Sequence, residues 1–180
     1  METKILVAGF GGQGLMSLGK IISRAAVNQA KKATFIPSYG AEMRGGTAHC
    51  LVKLSSKPIA SPLVYEPDIA FIFNQPSLYK FKNKLGNCKL AILNSDFVFD
   101  RIIPAGPKFL YLPLNKMAID FGQTKIANII ALGIMNGFNP QTLDTKAIEQ
   151  AIRMTFSNKN IADINIKAFE AGRKIKDQNG

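Results

Sequence analysis

A glycine-rich turn that directly follows a short apolar segment sets narrow limits on how this chain folds. Residues 4–8 are predicted to form the first strand, and apolar residues recur at helical spacing from Leu15 onwards. Between these two segments, three glycines stand at the positions of the G-x-G-x-x-G pattern, namely Gly9, Gly11 and Gly14. The pattern is typical of a tight strand-to-helix connection in which the helix packs closely on a sheet.

The turn is also a candidate binding site. The first peptide N–H groups of a helix have no partner within the helix and lie at the positive end of its dipole. Residues 11–14, which include Gly12 and Gln13, are therefore placed to hold an anion such as a phosphate or a carboxylate. Two alternatives stay open: the glycines serve only to close the turn, or the turn contacts a neighbouring protein.

Ordinary NAD binding needs one more residue, an acid at the end of the second strand that binds the ribose hydroxyls. The second strand is predicted at residues 33–36, and Pro37, Ser38, Tyr39 and Gly40 follow it. Because no acid stands there, the sequence disfavours ordinary NAD binding.

A second candidate segment leaves this predicted strand. Over residues 38–47 the hydrophobic periodicity disappears and glycines return. If the second strand runs parallel to the first, this segment lies beside the glycine turn at the carboxyl edge of the sheet, where α/β folds bind ligands. A later buried strand ends at the same edge. The candidate residues of this group are Ser38, Tyr39, Gly40, Glu42, Arg44, Gly45, Gly46 and Asn74.

The middle of the chain is rich in predicted strands. Residues 47–54 alternate between apolar and polar, which places Cys50 in the core and His49 on a polar surface. Ser77 is expected to cap a helix that continues through residue 84. A short extended piece is predicted at residues 59–63, and further strands are predicted at residues 69–73, 88–93 and 109–112.

The end of the chain is predicted to be helical. Residues 125–136 are apolar nearly all round, so this helix should be buried on several sides, and Asn128 within it needs a hydrogen-bond partner. Another helix is predicted at residues 147–156. We therefore expect a single three-layer α/β/α domain over residues 1–180, with a largely parallel or mixed sheet. The last helix should place five residues along one stripe: Ile161, Ile164, Ala168, Gly172 and Ile175.

Cysteine and histidine usage limits the chemistry that this chain performs alone. It has two cysteines, Cys50 and Cys88, far apart and without C-x-x-C spacing, and a single histidine. An iron–sulfur cluster or structural zinc held by this chain alone is therefore not expected. We predict no metal site and no catalytic residue within the chain, and we expect any cofactor on another chain.

The formal net charge of +11 favours acidic or phosphorylated partners. The basic residues are spread along the sequence, and it shows no helix-turn-helix, zinc-finger or aromatic RNA-binding signature. An acidic protein partner is therefore preferred over nucleic acid. Since no segment is apolar enough to span a bilayer and no secretory leader is recognised, we expect a soluble, cytoplasmic protein without membrane contact.

Several of these segments, taken together and in order, resemble the gamma subunit of 2-oxoacid:ferredoxin (acceptor) oxidoreductases. The resemblance covers essentially the whole chain, and it departs from the commoner family pattern at Ala41, His49 and Ser56. It is carried by the glycine turn, residues 38–48, residues 59–62, residues 74–77, and Asn128 with residues 131–133.

The resemblance implies a subunit of an oxygen-sensitive enzyme that decarboxylates a 2-oxoacid, joins the acyl group to coenzyme A, and passes two electrons to ferredoxin or a similar acidic carrier. In that family, thiamine diphosphate, magnesium and iron–sulfur clusters belong to companion subunits. This chain is therefore expected to assemble with alpha, beta and delta subunits. The sequence around Met43 and Arg44 is most like the 2-oxoglutarate and 2-oxoisovalerate enzymes, and we favour 2-oxoglutarate.

The candidate residues can be given roles consistent with this resemblance. The glycine turn and Arg44 are expected to face the shared active centre, near the entrance for coenzyme A, where peptide N–H groups and a guanidinium bind phosphate or carboxylate. Glu42 and Tyr39 would orient Arg44 or contact a companion subunit. An ion pair between Arg44 and Glu42 that only fixes the loop is the alternative. The rival functions are a free-standing nucleotide- or dinucleotide-binding oxidoreductase and a basic nucleic-acid-binding protein.

Overall fold

The computed structural model describes residues 2–39, 47–101 and 108–175. The strands in these ranges are β1 (Glu2–Phe10), β2 (Lys32–Tyr39), β3 (Thr47–Ser55), β4 (Ile69–Ile72), β5 (Leu90–Asn94) and β6 (Lys108–Leu112). The α-helices are α1 (Leu15–Asn28), α2 (Gln75–Phe81), α3 (Leu114–Asp120), α4 (Ala127–Phe138), α5 (Thr145–Thr155) and α6 (Lys159–Lys174). Among these helices, none combines the length and the apolar character needed to cross a bilayer.

The six strands form one mixed sheet in the order β2-β3-β1-β4-β5-β6. From β1 onwards the neighbours β4, β5 and β6 are parallel, whereas β3 pairs antiparallel with both β1 and β2. The prediction of an α/β fold with a largely parallel or mixed sheet is therefore confirmed. The carboxyl ends of β1, β2, β4, β5 and β6 share one edge of the sheet, which we call the carboxyl edge.

The two faces of the sheet are covered unequally. The larger core buries one face of β1, β3, β4 and β5 under helices α1 and α3 to α6, and Ile5, Val7 and Cys50 point into it. The smaller core lies on the other face, where Leu78 and Phe81 of α2 pack against alternate residues of β1, β4 and β5. Because strand side chains alternate between faces, β1 contributes to both cores.

The start of α2 differs from the prediction. Asn74, and not Ser77, caps the helix: its Oδ1 accepts a hydrogen bond of 2.9 Å from the Ser77 backbone N–H. The helix therefore begins at Gln75, two residues before Ser77. Pro76 fits this start, because the N–H that proline lacks would have no partner in the first turn of a helix. A 3₁₀ turn over Lys82–Lys84 extends the helix.

His49 does not lie on an open polar surface as predicted. It is half-buried, because α2 packs over its face of β3 and brings the Phe81 ring edge-on to within 5.0 Å of the imidazole centroid. Burial lowers the pKa of His49, and the neighbouring Lys80 and Lys84 lower it further. By contrast, Cys50 is a buried core residue, as predicted.

Two further segments complete the comparison with the predictions. In the segment predicted as a short extended piece, residues 59–63, the structure has no strand, and the Ser61 carbonyl accepts a hydrogen bond from the buried Lys53 ammonium. In α6, Ile161 is 47% exposed, whereas the rest of the predicted stripe packs on the core: Ala168 and Gly172 are buried, and Ile164 and Ile175 are partly buried. Gly172 lies at the contact with α4, since its close approach to the Ile130 carbonyl leaves no room for a Cβ. The buried positions of α6 are Ala162, Asn165, Ile166, Ala168, Phe169 and Gly172.

Candidate functional site

The glycine turn lies at the carboxyl edge, as predicted, and joins β1 directly to α1. The Gln13 backbone N–H donates to the Phe10 carbonyl over 3.3 Å and closes the turn. Gly12 and Gly14 have φ angles of +93° and +74°, which L side chains rarely adopt. Gly11 and Gly12 are exposed to solvent, so this part of the backbone is open to a ligand or a partner.

The Gln13 side chain folds back over the turn. Its Oε1 accepts a 2.6 Å hydrogen bond from the Phe10 N–H, and its Nε2 donates to the Phe73 carbonyl over 3.4 Å. A Cβ on Gly9 would lie 2.5 Å from that Oε1 and 2.8 Å from the Phe73 Cβ. Glycine is therefore required at position 9 by packing, and one donor of the turn is already used internally.

Asn128 holds the other side of the turn. Its Nδ2 donates to the Gly14 carbonyl over 2.9 Å, and the Leu18 N–H donates to the same oxygen over 3.0 Å. The prediction that Asn128 needs a partner is confirmed, and the partner is the turn itself. The first turns of α1 and α4 are thereby tied together at the carboxyl edge.

A cavity of about 240 Å³ opens between the turn and the start of α4. The α1 helix begins here with no side-chain cap and no acid in its first turn. Lys125, which is exposed, adds a positive charge at the rim. The cavity therefore favours an anionic group. Its lining residues are Gly12, Gln13, Gly14, Ser17, Phe73, Asn115, Thr124, Lys125, Ala127, Asn128 and Phe156.

Asn74 lies beside the turn, because it follows Phe73 at the end of β4. Its side chain is buried, and Oδ1 serves the cap of α2. Its Nδ2 and the Ser77 Oγ are buried without a hydrogen-bond partner among the described residues. Two donors at the carboxyl edge thus have unused capacity.

Ser38 and Tyr39 are more distant from the turn than predicted. They end β2, which runs in the same direction as β1, but the antiparallel β3 lies between the two strands. Ser38 is in register with His49, which is in register with Ala8, so about 10 Å separates Ser38 from β1. Tyr39 is 70% exposed. The remaining predicted residues, Gly40, Glu42, Arg44, Gly45 and Gly46, lie outside the described residues.

The thiols are poor nucleophiles. Burial raises the pKa of Cys50 to about 12 and that of Cys88 to about 11, so both stay protonated at neutral pH. They pack in different cores on opposite faces of the sheet. Within residues 2–39, 47–101 and 108–175, no three His, Cys, Asp or Glu side chains are grouped to hold a metal ion.

Sequence reasoning missed Asn115, Thr124 and Lys125 as lining residues. Asn115 belongs to α3, and the other two lie in the connection to α4. It also missed Asn94, whose Oδ1 accepts a hydrogen bond from the Leu114 N–H at the start of α3. The nearby Asp96 carboxylate accepts hydrogen bonds from the N–H groups of the next two residues of that helix. No local signal could have found these contacts, because residues 94–96 are far in sequence from the helix whose N–H groups they bind.

A second cavity of about 280 Å³ lies at the opposite edge of the sheet. Its charged groups are already engaged: Asp68 accepts from the Lys4 N–H over 2.8 Å and pairs with Lys89 at 3.2 Å. The Lys31 ammonium donates to the Thr142 carbonyl over 2.8 Å. These contacts hold the amino ends of the strands and make this cavity the weaker candidate.

Comparison with known proteins places the whole chain in one family. The family model described as pyruvate ferredoxin/flavodoxin oxidoreductase matches residues 4–175. The ketoisovalerate oxidoreductase subunit VorA of Methanothermobacter marburgensis is 36% identical over 95% of this chain, but the chain spans only 36% of VorA. The 2-oxoglutarate synthase subunit KorC of Methanocaldococcus jannaschii is 30% identical over 97% of this chain and 94% of KorC.

The fold agrees with this relationship. A keto/oxoacid ferredoxin oxidoreductase gamma subunit from Geobacter sulfurreducens superposes with a TM-score of 0.84 at 27% identity, over 99% of this chain and 98% of that one. The chain therefore belongs to the pyruvate ferredoxin/flavodoxin oxidoreductase family, and its structure matches that of a gamma subunit.

Proposed function

We propose that this chain is the gamma subunit of a multi-subunit 2-oxoacid:ferredoxin oxidoreductase. The enzyme would release the carboxylate of a 2-oxoacid as CO₂, form a thioester between the acyl group and coenzyme A, and pass two electrons to ferredoxin or a similar carrier. The observation that carries the proposal is the nearly end-to-end match to KorC and to the Geobacter gamma subunit. In VorA the matching region is about a third of a longer chain. This longer chain supports the proposal that this fold works together with further protein.

The cofactors are proposed to belong to the companion alpha, beta and delta subunits. The described residues of this chain do not suit an iron–sulfur cluster, because Cys50 and Cys88 are buried on opposite faces of the sheet. They also group no set of carboxylates that would hold the magnesium of thiamine diphosphate. Binding of these groups, and the bond-making steps, therefore fall to the other subunits.

This chain is proposed to form one wall of the active-centre entrance. The exposed backbone of Gly11 and Gly12, with Lys125 at the cavity rim, would meet the phosphate or carboxylate groups of coenzyme A or the 2-oxoacid. Arg44, on the segment after β2, would add a guanidinium able to bind such a group through two hydrogen bonds. The chain's contribution would be to orient the incoming thiol and exclude water.

The topology argues against the free-standing dinucleotide-binding alternative. In that class the second strand is the direct neighbour of the first, and its terminal acid reaches the ribose next to the glycine turn. Here the neighbour on that side is β3, and the end of β2 is one strand further away. The Gln13 side chain also occupies the Phe10 N–H inside the turn.

Two 2-oxoacids are candidates for the substrate. The local sequence around Met43 and Arg44 favours 2-oxoglutarate, in line with the KorC relatives. The VorA relatives, at 36% and 32% identity, favour 2-oxoisovalerate. Turnover measured with both acids and with pyruvate, at equal concentrations, decides between them.

The decisive experiment is anaerobic affinity purification of the tagged chain from native cells. We expect it to carry companion subunits with bound thiamine diphosphate and iron–sulfur clusters, and to show dye reduction that depends on both a 2-oxoacid and coenzyme A. A chain recovered without such subunits, or one active by itself, would contradict the proposal.

A variant tests the role of Arg44 in the assembled complex. Arg44→Ala should raise the KM for coenzyme A, whereas Lys89→Ala, which removes an ion pair between an exposed lysine and Asp68 at the opposite edge of the sheet, should not. Unchanged kinetics in Arg44→Ala would leave that residue with only the loop-fixing role.

A further inference from the structure

Three aromatic side chains are displayed in one small region beside the carboxyl edge. Tyr79 of α2 is 54% exposed, and Phe97 and Phe99, in the segment after β5, are 42% and 73% exposed. We call these three residues the aromatic patch. Clusters of exposed aromatic side chains mark protein interfaces more often than free surface.

The patch is held rigidly. Val98, between the two phenylalanines, is buried in the smaller core, and its N–H donates to the Asn94 carbonyl over 2.9 Å. The Gln75 Oε1 accepts from the Phe99 N–H over 2.8 Å, and the Tyr79 hydroxyl donates to the Asp100 carboxylate over 2.5 Å. These bonds fix the Tyr79 side chain and the backbone that carries Phe97 and Phe99 before any partner arrives, which lowers the entropy cost of binding.

The charges around the patch are unbalanced. Lys80, Lys82 and Lys84 are exposed on α2 and the 3₁₀ turn after it, and none pairs with a carboxylate among the described residues. The nearby acids are engaged elsewhere: Asp96 caps α3, and Asp100 accepts from Tyr79. A complementary partner therefore has apolar sockets surrounded by acidic groups.

A second copy of this chain fits poorly. In a symmetric dimer the patch meets the same patch of the other copy, so the interface would bring together the lysines of both copies without free carboxylates to pair with them. The patch also adjoins the candidate site, because Gln75, which holds Phe99, directly follows Asn74 at the end of β4. Both observations favour the partner that completes the active centre.

We propose that the aromatic patch and its lysines are the docking surface for the companion subunit that carries thiamine diphosphate, an inference that rests on the proposed function. VorA joins its match to this chain with further sequence in one polypeptide, which supports a companion packed beside this fold. Phe97 and Phe99 enter apolar sockets of that subunit, and its acidic rim pairs with Lys80, Lys82 and Lys84.

The test compares variants of the full chain reassembled with its companion subunits under anaerobic conditions. Phe97→Ser/Phe99→Ser should weaken the affinity by about tenfold or more, as expected for aromatic interface residues. Val27→Ser is the matched control, since Val27 is 60% exposed on α1, on the other face of the sheet, and should leave the affinity unchanged. Thermal unfolding of each isolated chain shows that the variants are folded.

A photo-cross-linking amino acid at position 97 or 99 gives an independent measurement. We expect cross-links to the subunit that binds thiamine diphosphate, and none from position 27. Cross-links only to a second copy of this chain, or wild-type affinity in the double variant, would overturn the docking surface while the proposed function stands. If the wild-type chain joins no subunit with thiamine diphosphate, both proposals fail.

Discussion

Asn128 Nδ2 donates a 2.9 Å hydrogen bond to the main-chain carbonyl of Gly14, which joins the start of α4 to the glycine turn 114 residues earlier in the chain. The Asn128 side chain is buried, so a substitution that removes the donor leaves a void and one acceptor with a single partner. The turn thus depends for its position on a helix from the other end of the molecule.

The first prediction follows from this bond. Asn128→Ala should lower the free energy of unfolding by about 1–3 kcal/mol, the cost of losing a buried hydrogen bond and its packing. Urea unfolding of the isolated chain measures it. Asn83→Ala, at an exposed position of the 3₁₀ turn, is the control and should stay within about 0.5 kcal/mol of the wild type. Equal stability of the two variants would show that the bond does not hold the turn.

The second prediction concerns the contact between α4 and α6. A Cβ on Gly133 would collide with the Phe169 carbonyl and lie 3.0 Å from the Arg173 backbone nitrogen. Gly133→Ala should therefore force the helices apart and cost about 1–3 kcal/mol, despite the better helix propensity of alanine. Gly86→Ala is the matched control, because a Cβ there meets nothing within 4 Å. A stabilised Gly133→Ala variant would contradict this packing.

Local patterns predicted those parts of the fold that short segments determine alone. The strand, turn and helix around Gly9, the buried runs of β4 and β5, and the burial of Cys50 each follow from periodicity within about ten residues. The insertion of β3 between β1 and β2 does not, because strand order depends on pairing between distant segments. The sequence therefore also failed to predict that β3 separates Ser38 from the glycine turn.

Other features were hidden for identifiable reasons. Helix α3 has only seven residues, too few to show helical periodicity. Asn74 and Ser77 are both good capping residues, so the sequence alone does not decide between them. In the structure Asn74 is the cap, because its Oδ1 accepts a hydrogen bond from the Ser77 N–H. The close fit of Gly172 in α6 against Ile130 in α4 depends on packing between separate helices, which no hydrophobic pattern encodes.

The third prediction uses the only histidine in the chain. The pKa of folded His49 lies below its ordinary value of 6.5, because of burial and the nearby lysines, so the unfolded chain binds the proton more readily. Stability should therefore be complete above about pH 6.5 and decrease as the pH falls towards 5. Urea unfolding at pH 7.5 and 5.5 measures the decrease. His49→Asn should remove most of it; an identical decrease in that variant would assign the effect to other groups.

The fourth prediction concerns the thiols. With pKa values raised to about 12 and about 11, Cys50 and Cys88 carry almost no thiolate at neutral pH. The folded chain should react with a thiol reagent far more slowly than the chain in denaturant, where both groups should titrate at once. Adding the reagent at pH 8 with and without guanidinium measures the two rates. Fast labelling of either thiol in the folded chain would contradict its burial.

The last prediction separates structure from binding within the glycine turn. Gly14 has a left-handed φ, and a Cβ there would collide with the Asn128 amide, so Gly14→Ala should destabilise the chain by about 1–3 kcal/mol. At Gly11 neither restriction applies: a Cβ meets nothing within 4 Å, and Gly11→Ala should leave the free energy of unfolding within about 0.5 kcal/mol of the wild-type value.

If the exposed backbone at Gly11 meets coenzyme A or the 2-oxoacid in the assembled enzyme, Gly11→Ala should nevertheless raise the KM for one of them several-fold, since the added methyl group lies where the ligand approaches. Parallel measurement of unfolding in the isolated chain and of steady-state kinetics in the complex distinguishes the two effects. Normal kinetics together with normal assembly in Gly11→Ala would restrict the turn to a structural role.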